Sequence, residues 1–204
     1  VSKLEYAKFL AASLAYVVLK QRDSVGLSVF DSEVREYLPP RSAMGVILQI
    51  DQLLRDIKPT PKTSIAKQLH DIALMMKRRS FVILISDLFS DVDDIRAGLD
   101  HLRHDGHNVV VLHTLDPYEL EFPFQGTWLF DGLEGEEPLT TQPERIRDDY
   151  LASFGKYMEE LKTGCVASHV DYTTVDTSQP LDVLLSEFFH LRQSTQPGPS
   201  TARP

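Results

Sequence analysis

Two stretches, FVILIS (Phe81–Ser86) and NVVVLHTL (Asn108–Leu115), are almost unbroken apolar runs with a polar segment of helical period between them. A strand with one wetted face alternates apolar and polar residues. A run without alternation is buried on both faces, the pattern of a parallel sheet covered by helices on each side. The segment between supplies the crossover: Asp91, Asp93 and Asp94 suit a positive helix start, Val92–His104 has helical period, and Gly106 suits a left-handed stop.

The same alternation extends in both directions. Ser2 and Glu5 have capping-box spacing, predicting a helix to about Lys20. VGLSVF (Val25–Phe30) reads as a strand, and EVREYLPP (Glu33–Pro40) as its partner after a turn at Asp31 and Ser32. Helices are expected over Met44–Ile57 and from Ser64 to about Lys77, separated by Pro59 and Pro61. Phe122–Pro138 is a Gly- and Pro-containing excursion in which TWLF forms an edge strand. Thr141 and Glu144 frame a second capping box, opening a helix to about Leu161. SHVDYTTVD is a strand, and a last helix runs from near Pro180 to about Arg192. The expected class is therefore α/β, a doubly wound, mostly parallel sheet with helices on both faces. Residues 1–192 form one domain, and 193–204 have the composition of a disordered tail.

Composition narrows the function classes. At 42% hydrophobic residues the chain can bury a core, and a net charge of −9 opposes nucleic acid as the main partner. The one cysteine, Cys165, excludes an internal disulfide and a cysteine metal cluster, and a reducing, cytoplasmic setting is the economical reading. The longest apolar run, Phe9–Leu19, is eleven residues, too short to cross a bilayer. The sequence begins at Val1 with Ser2 already capping a helix, so it reads as a piece that starts inside a domain.

Parallel strands align their C-terminal ends along one edge, where ligands bind in such sheets. Asp31, Asp87 and Asp116 each follow an apolar strand. Asp31 precedes Ser32 and Asp116 precedes Pro117, both turn contexts. Asp87 is followed by Leu88 and Phe89 instead, so function and loop bracing weigh about equally there. His101, His104 and His107 could suggest zinc, but a solvated helix end is the stronger reading. Thr63 suits a helix N-cap. A hydrolytic or phosphoryl-transfer enzyme using Asp87 and Asp116 is the alternative reading, with His113 near Asp116 but no activated nucleophile visible.

The blocks SKLEYAKFLAASLAYVVLKQRDSVGLSVFD, YLPPRS, RRSFVILISDLFSD, LRHDGHNVVVLHTLDPYELEFPF and IRDDY resemble the bacterial DUF58 family, whose members carry a von Willebrand factor A-like domain. The resemblance runs in order from about Ser2 to Arg192. It implies a metal-ion-dependent adhesion site for magnesium or another divalent cation, with Thr63 as the threonine ligand and Asp87 as the strand-ending aspartate; Asp116, by its place at a strand end, is the candidate outer contributor. The Asp-x-Ser-x-Ser loop of that site has no counterpart, the lead-in to Thr63 is TPK, and Ser86-Asp87-Leu88 stands for the family's Thr-Asp-Gly. In this chain the site is expected to be partial and its metal affinity poor. The resemblance further implies a non-enzymatic, protein-interacting domain working with a MoxR-type AAA ATPase. A metal-free scaffold, in which Thr63 only caps a helix and Asp87 only braces loops, is a further alternative reading. It places a first, central strand between Val25–Phe30 and Phe81–Ser86, so those two are expected not to pair, and the chain alone to be unstable or to borrow a strand.

Overall fold

A computed structural model describes residues 1–58, 65–131 and 138–195, with side chains to residue 190. Helix α1 (Lys3–Lys20) opens on the expected capping box, the Ser2 hydroxyl accepting from the Glu5 amide and Glu5 returning to the Ser2 amide. Strands β1 (Val25–Phe30) and β2 (Val34–Arg41) form an antiparallel pair, followed by α2 (Val46–Asp56) and α3 (Ile65–Met75). Then come β3 (Phe81–Ser86), α4 (Val92–His104), β4 (Asn108–Leu115) and a short α5 (Pro117–Glu121). A small hairpin, β5 (Trp128–Phe130) with β6 (Leu139–Thr141), leads into α6 (Pro143–Ala167), β7 (Asp171–Asp176) and α7 (Leu181–Thr195).

Strands β3, β4 and β7 make a parallel sheet in that order, with β4 central and buried almost throughout. Strand alternation divides its side chains between two cores. Val109 and Val111 face α3, α4 and α6 through Leu69, Leu99, Leu102 and Leu161. Val110 and Leu112 face α1 and α7 through Leu10, Leu14, Leu184 and Phe188. Helix α1 also packs against α2 and the β1–β2 pair through Ala15, Leu19, Ile50 and Leu54. Gly98 allows α4 to lie close on α3: a Cβ there would stand 2.9 Å from the Leu69 side chain and 3.2 Å from the Ala66 backbone.

Strands β1 and β3 belong to different sheets and share no ladder, so Val25–Phe30 and Phe81–Ser86 do not pair, as expected. Other expectations need correction. TWLF does not edge the main sheet; its Trp128–Phe130 part pairs with β6 in a separate hairpin. The second capping box is not made. Thr141 ends β6, Gln142 is the N-cap without a side-chain bond, and the Glu144 carboxylate accepts from the Gly126 amide instead. Helix α6 continues past Leu161 to Ala167, because that last stretch buries Cys165 in the core. Residues 193–195 belong to α7, and the rest of the expected tail lies outside the described residues. The turn expected at Asp116–Pro117 opens the short α5.

Candidate functional site

The chain leaves β3 through a loop whose shape is fixed by the sequence around Asp87. The Ser86 hydroxyl accepts from the Leu88 amide at 3.0 Å. Leu88 is fully buried and held at φ 52°, a left-handed conformation that costs a non-glycine residue about 1–2 kcal/mol. Burial of its side chain in the α3–α4–α6 core offsets that strain. The Tyr157 hydroxyl, from α6, reaches the carbonyls of both Leu88 and Ser90. Below the loop, His113 Nε2 donates to the Asp87 carbonyl at 2.8 Å. A carbonyl only accepts, so the Nε2 proton is fixed and Nδ1 must be the acceptor, 2.6 Å from the Tyr172 hydroxyl that donates to it. Burial pulls the His113 pKa below its ordinary value, even though the Asp87 carbonyl and the carboxylates of Asp87 and Glu119 push the other way. The loop therefore presents the Asp87 carboxylate and the 75% exposed Phe89 ring from a backbone pinned at several points.

The Asp87 carboxylate meets a lysine. Lys3 Nζ lies 3.2 Å from Asp87 Oδ2 and 2.6 Å from Glu119 Oε1. Burial is the strongest single influence on Lys3 and lowers its pKa, but the bond to Glu119 and the charges of Asp87 and Glu119 together outweigh it, so the ammonium is held above its usual range. Glu119 is itself positioned, its Oε2 accepting from the Asp116 amide at 2.9 Å and its backbone carbonyl accepting from the Tyr150 hydroxyl at 3.1 Å. Asp116, at the end of β4, caps α5 by accepting from the Tyr118 amide at 2.9 Å. Asp87 and Asp116 thus stand on one edge of the parallel sheet, joined through Lys3 and Glu119. Thr63 lies outside the described residues.

The remaining candidates lie elsewhere. Asp31 belongs to the separate β1–β2 pair, buried and bound by Arg35 Nε at 2.8 Å and the Glu33 amide at 3.1 Å, and so braces a hairpin. His107 is buried with Nδ1 accepting from the Ser80 amide at 3.1 Å, while the His101 ring lies tilted against His70 with centroids 4.3 Å apart. Burial raises the Cys165 thiol to about 11, which suits packing and not nucleophilic chemistry. Lys3, Glu119, Tyr157 and Tyr172 were not singled out from the sequence. Lys3 alone carried a signal there, a positive charge in the first turn of a helix, where the macrodipole disfavours it.

Among the described residues no group of three or more histidine, cysteine, aspartate or glutamate side chains could hold a metal ion. Magnesium takes near-octahedral oxygen ligands at about 2.1 Å. The two carboxylates that converge at the described edge, Asp87 and Glu119, are both already salt-bridged to one ammonium. These residues do not fit a divalent ion while Lys3 stays in place. Nor, among the described residues, is any helix long and apolar enough to cross a membrane.

A parallel sheet between helical layers, with acidic residues at the strand C-terminal edge, makes this an α/β domain, consistent with a von Willebrand factor A-like fold. Within that class the chain belongs to the family described as Protein of unknown function DUF58, whose model matches residues 1–159. No curated protein matches it. Among solved structures it is similar to an aerotolerance-related membrane protein from Bacteroides fragilis carrying multiple mutations to serines. The TM-score is 0.52 at 18% identity, over 92% of this chain and 88% of that one. It is also similar to the conserved hypothetical protein BatB from Bacteroides thetaiotaomicron, with a TM-score of 0.51 at 20% identity over 93% and 88%. At these identities the likeness is one of fold.

Proposed function

We propose that the domain is a non-enzymatic protein-interaction module that docks partners on the C-terminal edge of its parallel sheet. The observation that carries this reading is the β3–α4 loop: exposed Phe89 sits beside Asp87 on a backbone clamped by His113 and Tyr157. A rigid aromatic anchor beside a charge binds with little ordering cost, as interface hot spots do. Among the described residues of this edge, His113 is not a free base, since both its nitrogens are engaged. Through the family resemblance, the partner proposed is a MoxR-type AAA ATPase in the cytoplasm. Divalent-ion assistance by Thr63 and Asp87 belongs to this reading only in a state where Lys3 has moved off Asp87.

The test is calorimetric titration of the intact protein with the MoxR-type ATPase from the same organism, beside Phe89→Ala and Asp87→Ala. Phe89→Ala should weaken binding at least about tenfold, the loss expected for a central aromatic. Hydrolysis of phosphoesters or peptides by the intact protein, abolished in Asp87→Ala, would overturn the reading in favour of a metal-dependent enzyme.

A further inference from the structure

A cleft opens at the opposite, N-terminal edge of the parallel sheet, where α3 leads into β3 and α4 into β4. It measures about 300 Å³ and is lined by Met76, Lys77, Arg78, Arg79, Asp105 and His107. The two loops are tied together. The Asn108 amide donates to the Ser80 carbonyl at 3.0 Å, and the Ser80 amide donates to His107 Nδ1 at 3.1 Å. Gly106, at φ 83°, lets Arg79 settle on the α4–β4 turn: a Cβ there would stand 2.8 Å from Arg79 Nε and 3.4 Å from its Cζ. Asp105 is the one carboxylate of the lining, its Oδ2 3.8 Å from His101 Nε2.

Two features of this cleft serve no contact within the fold. In a chain of net charge −9, Lys77, Arg78 and Arg79 are three consecutive exposed cations. Among the described residues, none of their side chains makes an ion pair or a hydrogen bond. The dipole of α3 favours a cation in its last turn, but α3 ends at Met75, before all three. The second feature is a donor. The Ser80 N–H can only donate, so His107 Nδ1 holds a lone pair and the ring proton sits on Nε2. His107 is 2% exposed, yet its Nε2 has no partner among the described residues, and the ring lines the cleft. Burial lowers the His107 pKa, so the ring offers a neutral N–H and not a charge. We infer that Lys77, Arg78, Arg79 and His107 form an oxyanion site whose ligand is a phosphate group, free or as a monoester. Guanidinium forks match pairs of oxygens on a tetrahedral oxyanion, and an ammonium supplies a point charge. A carboxylate ligand, with a single charge and two oxygens, would leave most of these donors unused. The site lies at the other end of the sheet from Phe89 and Asp87, so it stands apart from the proposed docking edge.

The probe is inorganic phosphate, titrated into the intact protein in chloride buffer and followed by proton–nitrogen NMR of the histidine side chains. The His107 Nε2 signal should shift and saturate within the millimolar range. Lys77→Gln and Arg79→Gln, at exposed positions, should each weaken binding on the order of tenfold, the loss of one charge-assisted bond. Lys156→Gln, on α6, removes a charge elsewhere and should leave binding unchanged. A second arm finds the source of the phosphate, by sedimenting the protein with phosphatidylcholine vesicles with and without phosphatidic acid. Sedimentation that requires phosphatidic acid and is lost in Arg79→Gln supports the site with a lipid headgroup as ligand. Saturable phosphate binding without sedimentation supports it with a soluble ligand. An unmoved His107 signal together with no sedimentation overturns the inference, as does binding that Lys77→Gln and Arg79→Gln leave unchanged. Should a variant fail to fold, the wild-type His107 signal decides alone.

Discussion

Acidification should destabilise this domain before its carboxylates titrate, through His107 and His113. Both are buried, and burial lowers the pKa of each below the ordinary value of 6.5. Each also uses Nδ1 as an acceptor, from the Ser80 amide in one case and the Tyr172 hydroxyl in the other. Protonation sets a donor against the Ser80 N–H, which cannot reverse. The Tyr172 hydroxyl can rotate, with the Met158 sulfur 3.7 Å away as a weak alternative acceptor. The unfolded chain binds protons at these sites more readily than the folded one. Stability is therefore complete above about pH 6.5 and is lost as pH falls through that value toward the lower folded-state pKa.

A lowered folded-state pKa removes at most about 1 kcal/mol per histidine between pH 6.5 and 5.5, the limit reached when the imidazole stays neutral throughout. The pair removes at most about 2 kcal/mol, set against the roughly 5–15 kcal/mol of an ordinary domain. Urea unfolding at pH 7.5, 6.5 and 5.5 should show the midpoint falling over the lower interval, by at most about 1 M for a slope near 2 kcal/mol per molar. His113→Asn and His107→Asn each cost stability at every pH, so the comparison is of pH dependence. Each single variant should halve the loss and the double variant should remove most of it. An undiminished loss in the double variant would refute the assignment, as would a wild type flat across this window.

Other outcomes follow from individual contacts. Tyr157→Phe removes the hydroxyl that holds the Leu88 and Ser90 carbonyls and should cost about 1 kcal/mol in thermal or urea unfolding, with faster amide exchange confined to residues 88–91. Leu102→Ala opens a cavity at a fully buried core position and should cost about 2–5 kcal/mol by the same measurement. Cys165, 1% exposed with its thiol raised to about 11, should resist iodoacetamide at pH 8 in the native protein and react once unfolded in urea. Strand β3 bonds β4 on one side and no other strand of the described residues, so its outward amides should exchange faster than those of β4; equal protection would show that another strand fills that edge.

Strand β4 was legible from burial alone, and the helix between two apolar runs follows from the crossover that parallel strands need. Strand β3 reads as equally buried, yet among the described strands it lies at the sheet edge, with Leu84 alone buried and Phe81 42% exposed. Asp87 was legible because the end of a parallel strand has a fixed place. What failed was local competition among polar groups. Thr141 and Glu144 have the right spacing for a cap, but Glu144 is taken by the Gly126 amide, eighteen residues away in sequence. Asp31 resembles Asp87 as a strand-ending acid, yet β1 lies outside the parallel sheet and Arg35 claims its carboxylate.

The partners of Asp87 come from segments far apart in the chain, and no periodicity relates them. Lys3 and Glu119 are separated by 116 positions and touch at 2.6 Å. What the sequence did contain was a violation, a lysine in the first turn of α1 where an acid would suit the dipole. Glu5, in the same turn, obeys the rule and serves the cap. A residue that breaks a local preference persists where a distant contact compensates it, so such breaks mark places where tertiary structure or function overrides propensity. Here the compensation is a pair of carboxylates at the binding edge of the sheet. The charge that looks misplaced on the helix is the charge that the edge requires, and the sheet topology that brings β3 and β4 side by side is what allows one lysine to serve both strand ends.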